Sequence, residues 1–190
     1  MRRPLASIAV ALAALATAPV QAADYRLDYQ GVTFEVTLLD ADSFKLTMLD
    51  TDAATGDWAG VTQLNAFMID YVGIVGSTGA NAAGPGSFVY SSRNLNGNGC
   101  AGVASSRNLC FSGLVDVAPS LSWDVDVIGA DLKVNRYGPQ LTVRFGDGAS
   151  DHVGSLLSKH VPPVPEPSSY ALMLAGLAAI GFVSRRRRAG

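Results

Sequence analysis

Val32, Phe34, Val36 and Leu38 alternate with Thr33, Glu35 and Thr37, and after Asp40-Ala41-Asp42-Ser43 the rhythm resumes as Phe44, Leu46 and Met48 against Lys45 and Thr47. A period of two with one apolar face predicts a β-hairpin that turns at 40–43. Tyr25, Leu27 and Tyr29 carry the same rhythm and predict a preceding strand. Further along, Leu121, Trp123, Val125 and Val127 alternate with Ser122, Asp124 and Asp126, and Leu141, Val143 and Phe145 with Thr142 and Arg144. Between these two runs, Leu132 and Val134 lead into a turn at Tyr137-Gly138-Pro139. From Leu64 to Val75 the chain is almost continuously apolar apart from Asp70, a pattern that fits a central strand and equally a buried helix. Gly76 to Gly99 is rich in Gly, Ala, Ser and Asn around Phe88-Val89-Tyr90, which predicts loops and one short strand. Short strands about ten residues apart with turn signals between them predict an all-β body, an antiparallel sandwich or jelly-roll-like fold.

The two ends obey other rules. Met1 to Ala22 reads as a secretory signal peptide: Arg2 and Arg3, an apolar stretch from Leu5 to Ala18, then Val20-Gln21-Ala22, so cleavage between Ala22 and Ala23 is expected. At the other end an uncharged run from Ser168 to Ser184 precedes four arginines, Arg185, Arg186, Arg187 and Arg188. A run of about seventeen residues at about 1.5 Å each is just long enough for a transmembrane helix, and the arginine block acts as its stop-transfer signal on the cytoplasmic side. The chain therefore divides into a signal peptide (1–22), an exported β-rich domain (23–153), a linker (154–164, opening GSLLSKHVPP) and a C-terminal signal (165–188).

Charge changes the picture once these ends are set aside. The whole chain has a formal net charge of −2, with 14 Lys and Arg against 16 Asp and Glu. Six of the basic residues lie in the two targeting segments, leaving the body acidic. Nucleic-acid binding, which needs basic patches to neutralise phosphates, is not expected.

The closing stretch, Pro162 to Gly190, reads PPVPEPSSYALMLAGLAAIGFVSRRRRAG. The Val164-Pro165-Glu166-Pro167-Ser168 element, the apolar run and the basic cluster, in that order, resemble the PEP-CTERM protein-sorting signal of Gram-negative bacteria. This tail type is also known as the ice-binding protein C-terminal domain, a label that says nothing about ice for the body. The resemblance implies recognition by an exosortase, a membrane-embedded cysteine transpeptidase-like enzyme. It also implies processing near Pro165, Glu166 and Pro167, and delivery to the cell surface or extracellular matrix through a transient inner-membrane intermediate. Signal peptidase and exosortase are thus the expected processing partners, with exopolysaccharide a partner suggested by family context.

Chemistry within the body is sparse. Cys100 and Cys110 are the only cysteines, and in an exported chain an even count predicts a disulfide. His152 and His160 stand near the linker, and no serine lies in a G-x-S-x-G elbow, so no catalytic residues are assigned. No cofactor and no metal site is expected. Were calcium to bind, the acidic loop from Asp40 to Asp52 is the first place for it, although no twelve-residue calcium loop is present. These features point to a non-catalytic cell-surface or matrix protein. The alternative is a lectin-like module using exposed aromatics among Trp58, Tyr71, Tyr90 and Trp123, with Trp58 favoured because Trp123 is in phase with buried valines. An exported hydrolase comes third.

Overall fold

A computed structural model describes residues 24–70, 79–105, 107–129, 132, 134, 137–149, 153–165 and 177. Among the described residues, ten strands form two antiparallel sheets. The first sheet orders β1 (Tyr25–Tyr29), β2 (Val32–Leu38), β3 (Ser43–Leu49), β8 (Ser120–Ile128) and β5 (Gly79–Ala83). The second orders β10 (Val153–His160), β9 (Gln140–Gly146), β4 (Gln63–Asp70), β7 (Leu109–Asp116) and β6 (Val89–Ser91). From β3 to β6 successive strands alternate between sheets, and the returning pair β7 and β8 lies between them, β7 beside β4 and β6, β8 beside β3 and β5.

The apolar faces read from the sequence meet in one core. In β8, Leu121, Trp123, Val125 and Val127 are buried while Asp124 and Asp126 face solvent, the period-two pattern of a half-buried strand. The hairpin of β2 and β3 turns at 40–43, where the Asp40 carboxylate accepts from the Ser43 hydroxyl at 2.6 Å and from the Asp42 amide at 3.2 Å. Aromatic rings join the sheets: Phe67 of β4 lies 5.1 Å from Trp123 of β8, centroid to centroid. The Trp123 indole N–H donates to the Pro85 carbonyl at 3.0 Å. Gly84 is required beside it, since a Cβ there would come within 2.5 Å of both Trp123 and the Ser122 carbonyl.

The ambiguous run at 64–75 is strand in its first part: β4 occupies the middle of its sheet, paired with β7 and β9. Its continuous apolarity has a cause, because both faces are covered. Phe67 and Ile69 enter the main core, and on the other face Ala66 and Met68 form a second small cluster with Leu95 and Cys110. The latter part, 71–75, lies outside the described residues.

The expectation of a linker at 154–164 is corrected. Most of it is strand β10, which pairs with β9 from Val153↔Phe145 to His160↔Gln140 across a register shift. Leu157 and Val161 are driven inside, at 1% and 0% exposure, and that burial makes the segment part of the body. Its Gly, Ser, Lys and Pro content suggested a spacer because an edge strand needs few apolar residues and accepts proline at its end.

Candidate functional site at the C-terminal junction

The residues expected to carry sorting follow directly on the end of the second sheet. After His160 the chain crosses from the edge of one sheet to the edge of the other, and each step of that crossing is held. The Val161 amide donates to the Pro139 carbonyl at 2.8 Å. The Arg26 amide donates to the Pro162 carbonyl at 3.0 Å, and the Val164 amide donates to the Asp24 carbonyl at 2.9 Å. These last two bonds flank an antiparallel bridge between Tyr25 and Pro163. Tyr25 is half-buried here, and burial pushes its phenol pKa up, with the Asp24 carboxylate adding to the effect.

Glycine makes the close approach possible. Gly138 sits at φ +82°, and a Cβ on it would lie 2.0 Å from the Val161 carbonyl oxygen. His160 Nδ1 is 3.2 Å from the Gly138 carbonyl, and its ring lies 6.1 Å from that of Tyr137. Lys159 places its ammonium 5.0 Å over the Tyr29 ring, which also meets Trp58. On the exposed face of β1, Arg26 bridges to Glu35 at 2.9 Å and Asp28 at 3.3 Å. Sequence reasoning missed this pairing of the N-terminal strand with 162–164. The Tyr25, Leu27, Tyr29 alternation marks a strand with one buried face and does not say which segment pairs along its open edge.

Of the predicted processing residues, Pro165 is described, directly after the last held residue. Glu166, Pro167, Arg185 to Arg188, and the cleavage pair Ala22 and Ala23 lie outside the described residues, as do the signal peptide and all of the apolar run except Leu177. Among the described residues no helix is long and apolar enough to cross a membrane.

Cys100 and Cys110 are joined in a disulfide, with Cα atoms 5.8 Å apart. It ties a polar loop onto the outer face of β4 and β7, where Leu95 covers Met68. The Leu95 amide approaches the Met68 sulfur at 3.3 Å, and Asn108 donates from its side-chain amide to Asn94 within the same loop.

The aromatic platform is a correction. Trp58 is fully buried. The 3₁₀ turn Gly56–Trp58 carries it under the sheets, where it meets Phe145 at 4.9 Å, Tyr29 at 5.4 Å and Phe34 at 6.1 Å. Its sequence neighbours Thr55, Gly56 and Asp57 are polar or small, yet the hydrophobic gain of burying an indole outweighs that local composition. Trp123 lies in the core, Tyr90 packs partly buried against Phe111 at 5.9 Å, and Tyr71 is outside the described residues.

Among the described residues no group of three or more His, Cys, Asp and Glu is placed to hold a metal ion. At the start of the Asp40 to Asp52 stretch the carboxylates serve the turn itself. Hydrogen bonds from Ser43 and Asp42 hold the Asp40 carboxyl below its usual range, and its neighbour Asp42 is pushed up by the proximity of Asp40. Asp124 pairs with Lys45 at 3.3 Å on the exposed face of the first sheet. His152 lies outside the described residues.

Residues 163–188 match the family model of the PEP-CTERM protein-sorting motif. Comparison with curated proteins and with solved structures finds no match. The match covers the same tail singled out by its Pro-Glu-Pro element, apolar run and arginines, and it does not reach the ten strands of the β body.

Proposed function

We propose that this chain is an exported, non-catalytic surface or matrix protein whose β body is handed to an exosortase by its C-terminal tail. The observation that carries the reading is the sorting motif at 163–188, which opens at Pro163, the residue bridged to Tyr25 at the close of the body. Signal peptidase acts after Ala22, the arginine block holds the C-terminus on the cytoplasmic side, and the product moves from the inner membrane to the cell surface or the matrix around it. The body, a jelly-roll-like sandwich, serves there as a folded building unit. One feature of the body supports a life outside the cytoplasm: the Cys100–Cys110 bridge. Association with exopolysaccharide is the partner this reading favours. Burial of Trp58 takes away the best aromatic anchor for a lectin-like site.

The test is the intact mass and cell fraction of the native protein, with Pro165-Glu166-Pro167 intact and with all three replaced by alanine. The expected product begins at Ala23, lacks Arg185 to Arg188 and is found at the surface or in the medium, and the triple variant accumulates unprocessed in the inner membrane. A native product that keeps its arginines and stays in the membrane whatever the motif would overturn the proposal.

A further inference from the structure

The sorting motif joins the body without slack, and the joint is itself part of the fold. Val161 is fully buried, so residues 161–164 start from the core and end on β1. Pro162 and Pro163 have no N–H, so this segment accepts from Arg26 at Pro162, donates to β1 only through Val164, and has little to offer a further strand. In the antiparallel ladder defined by Val164 to Asp24, the next rung would use the carbonyl of residue 22, which signal cleavage after Ala22 removes. Val164 is then the last residue β1 can hold.

We infer that this clasp stays closed during sorting, and that the bond cut by the processing enzyme lies on the C-terminal side of Val164. The inference rests on the exosortase reading above. Peptide-binding clefts commonly take backbone as an extended strand, so an enzyme reaching upstream of Pro165 competes with β1 for the same backbone groups. Winning that competition means breaking the Arg26–Pro162 and Val164–Asp24 bonds and drawing on a buried Val161. Downstream, 165–167 spans about 10 Å when extended before the apolar run starts, and that stretch lies beyond the clasp. In the reaction, the scissile carbonyl carbon passes from the peptide nitrogen to an incoming water or amine, and the departing nitrogen takes up the proton. Either way the residue bearing that carbonyl becomes the C-terminal residue of the body.

Two measurements on the full chain expressed in its host decide this. Mass spectrometry of the released product is expected to place its last residue at Val164 or later; a product ending at Pro163 or earlier overturns the inference. The second uses Tyr25→Cys with Pro163→Cys, which places cysteines across the non-hydrogen-bonded bridge, where facing Cα atoms are about 4.5 Å apart and within disulfide reach. With the bridge formed, shown by the loss of two hydrogens in the mass, the double variant is expected to be processed to the same end and extent as either single-cysteine variant. Processing that stops in the oxidised double variant and returns with reductant shows that the clasp must open, and overturns the inference. The two readings fail differently: an unprocessed wild type that keeps Arg185 to Arg188 sinks the sorting reading, whereas a processed wild type with an early end sinks the clasp.

Discussion

Trp58 shows how a single residue escapes a reading of local composition. Its neighbours in sequence are polar, yet its neighbours in space are Phe34, Tyr29 and Phe145, and its amide is met by the Gln30 side chain at 3.1 Å. Nothing in a window of ten residues encodes that meeting, because it depends on β1, β2 and β9 arriving at one place. Trp58→Ala leaves a large cavity between the sheets and is expected to cost about 3–5 kcal/mol, read from urea unfolding. An unchanged midpoint would mean that the indole is not in the core. Asp28 gives a second prediction, in pH. The Thr33 hydroxyl donates to its carboxylate at 2.6 Å, and this bond, with Arg26 nearby, holds the Asp28 pKa below its ordinary value despite some desolvation. A lowered folded pKa stabilises the fold above the unfolded carboxylate value near about 3.9, and that contribution is lost as pH falls through the folded value. Thr33→Val is therefore expected to lower stability at about pH 7, with the gap from the native protein narrowing at about pH 3. A gap that does not change with pH would assign the loss to packing instead.

At the scale of elements, strands with one wet face were legible and strands covered on both faces or built of small residues were not. The β2–β3 hairpin and β8 announce themselves by alternation, since solvent on one face demands polar residues at every second position; β9 alternates as well, although its Thr142 is buried. β5, with the sequence GANAA, carries no such signal; its pairing with β8 from Gly79↔Ile128 to Ala83↔Asp124 comes from its partner. β7 begins Leu-Cys-Phe because one face joins the core and the other lies under the disulfide loop. That loop makes its own prediction. A bridge between residues ten apart contributes about 2–3 kcal/mol on chain-entropy grounds, so Cys100→Ala with Cys110→Ala should lose about that much in chemical denaturation. A loss under about 1 kcal/mol would mean that Leu95 and its contacts hold the loop without the bond.

At the scale of the whole molecule the question is where the body stops. Composition places the boundary at 153, because residues 154–164 have the glycine, serine, lysine and proline of a spacer. Geometry places it at Val164, because β10 completes the second sheet and the residues after it fasten that sheet to β1 of the first. The candidate site was legible in its chemistry, the Pro-Glu-Pro element and its basic flank, but its attachment was not, since a contact between residues 24 and 164 leaves no trace in either neighbourhood. The difference can be measured on two truncated chains, 23–164 and 23–153. The longer is expected to unfold cooperatively. The shorter loses the burial of Leu157 and Val161, worth about 1.5–3 kcal/mol each, together with the β9–β10 ladder, and uncovers the edge of β9. Against a total stability of about 5–15 kcal/mol, that loss should leave 23–153 without a cooperative thermal transition, or soluble only as an aggregate through its open edge. Equal melting temperatures for the two chains would return the boundary to 153, make β10 an ornament of the tail, and remove the physical basis for a body clasped shut at Val164.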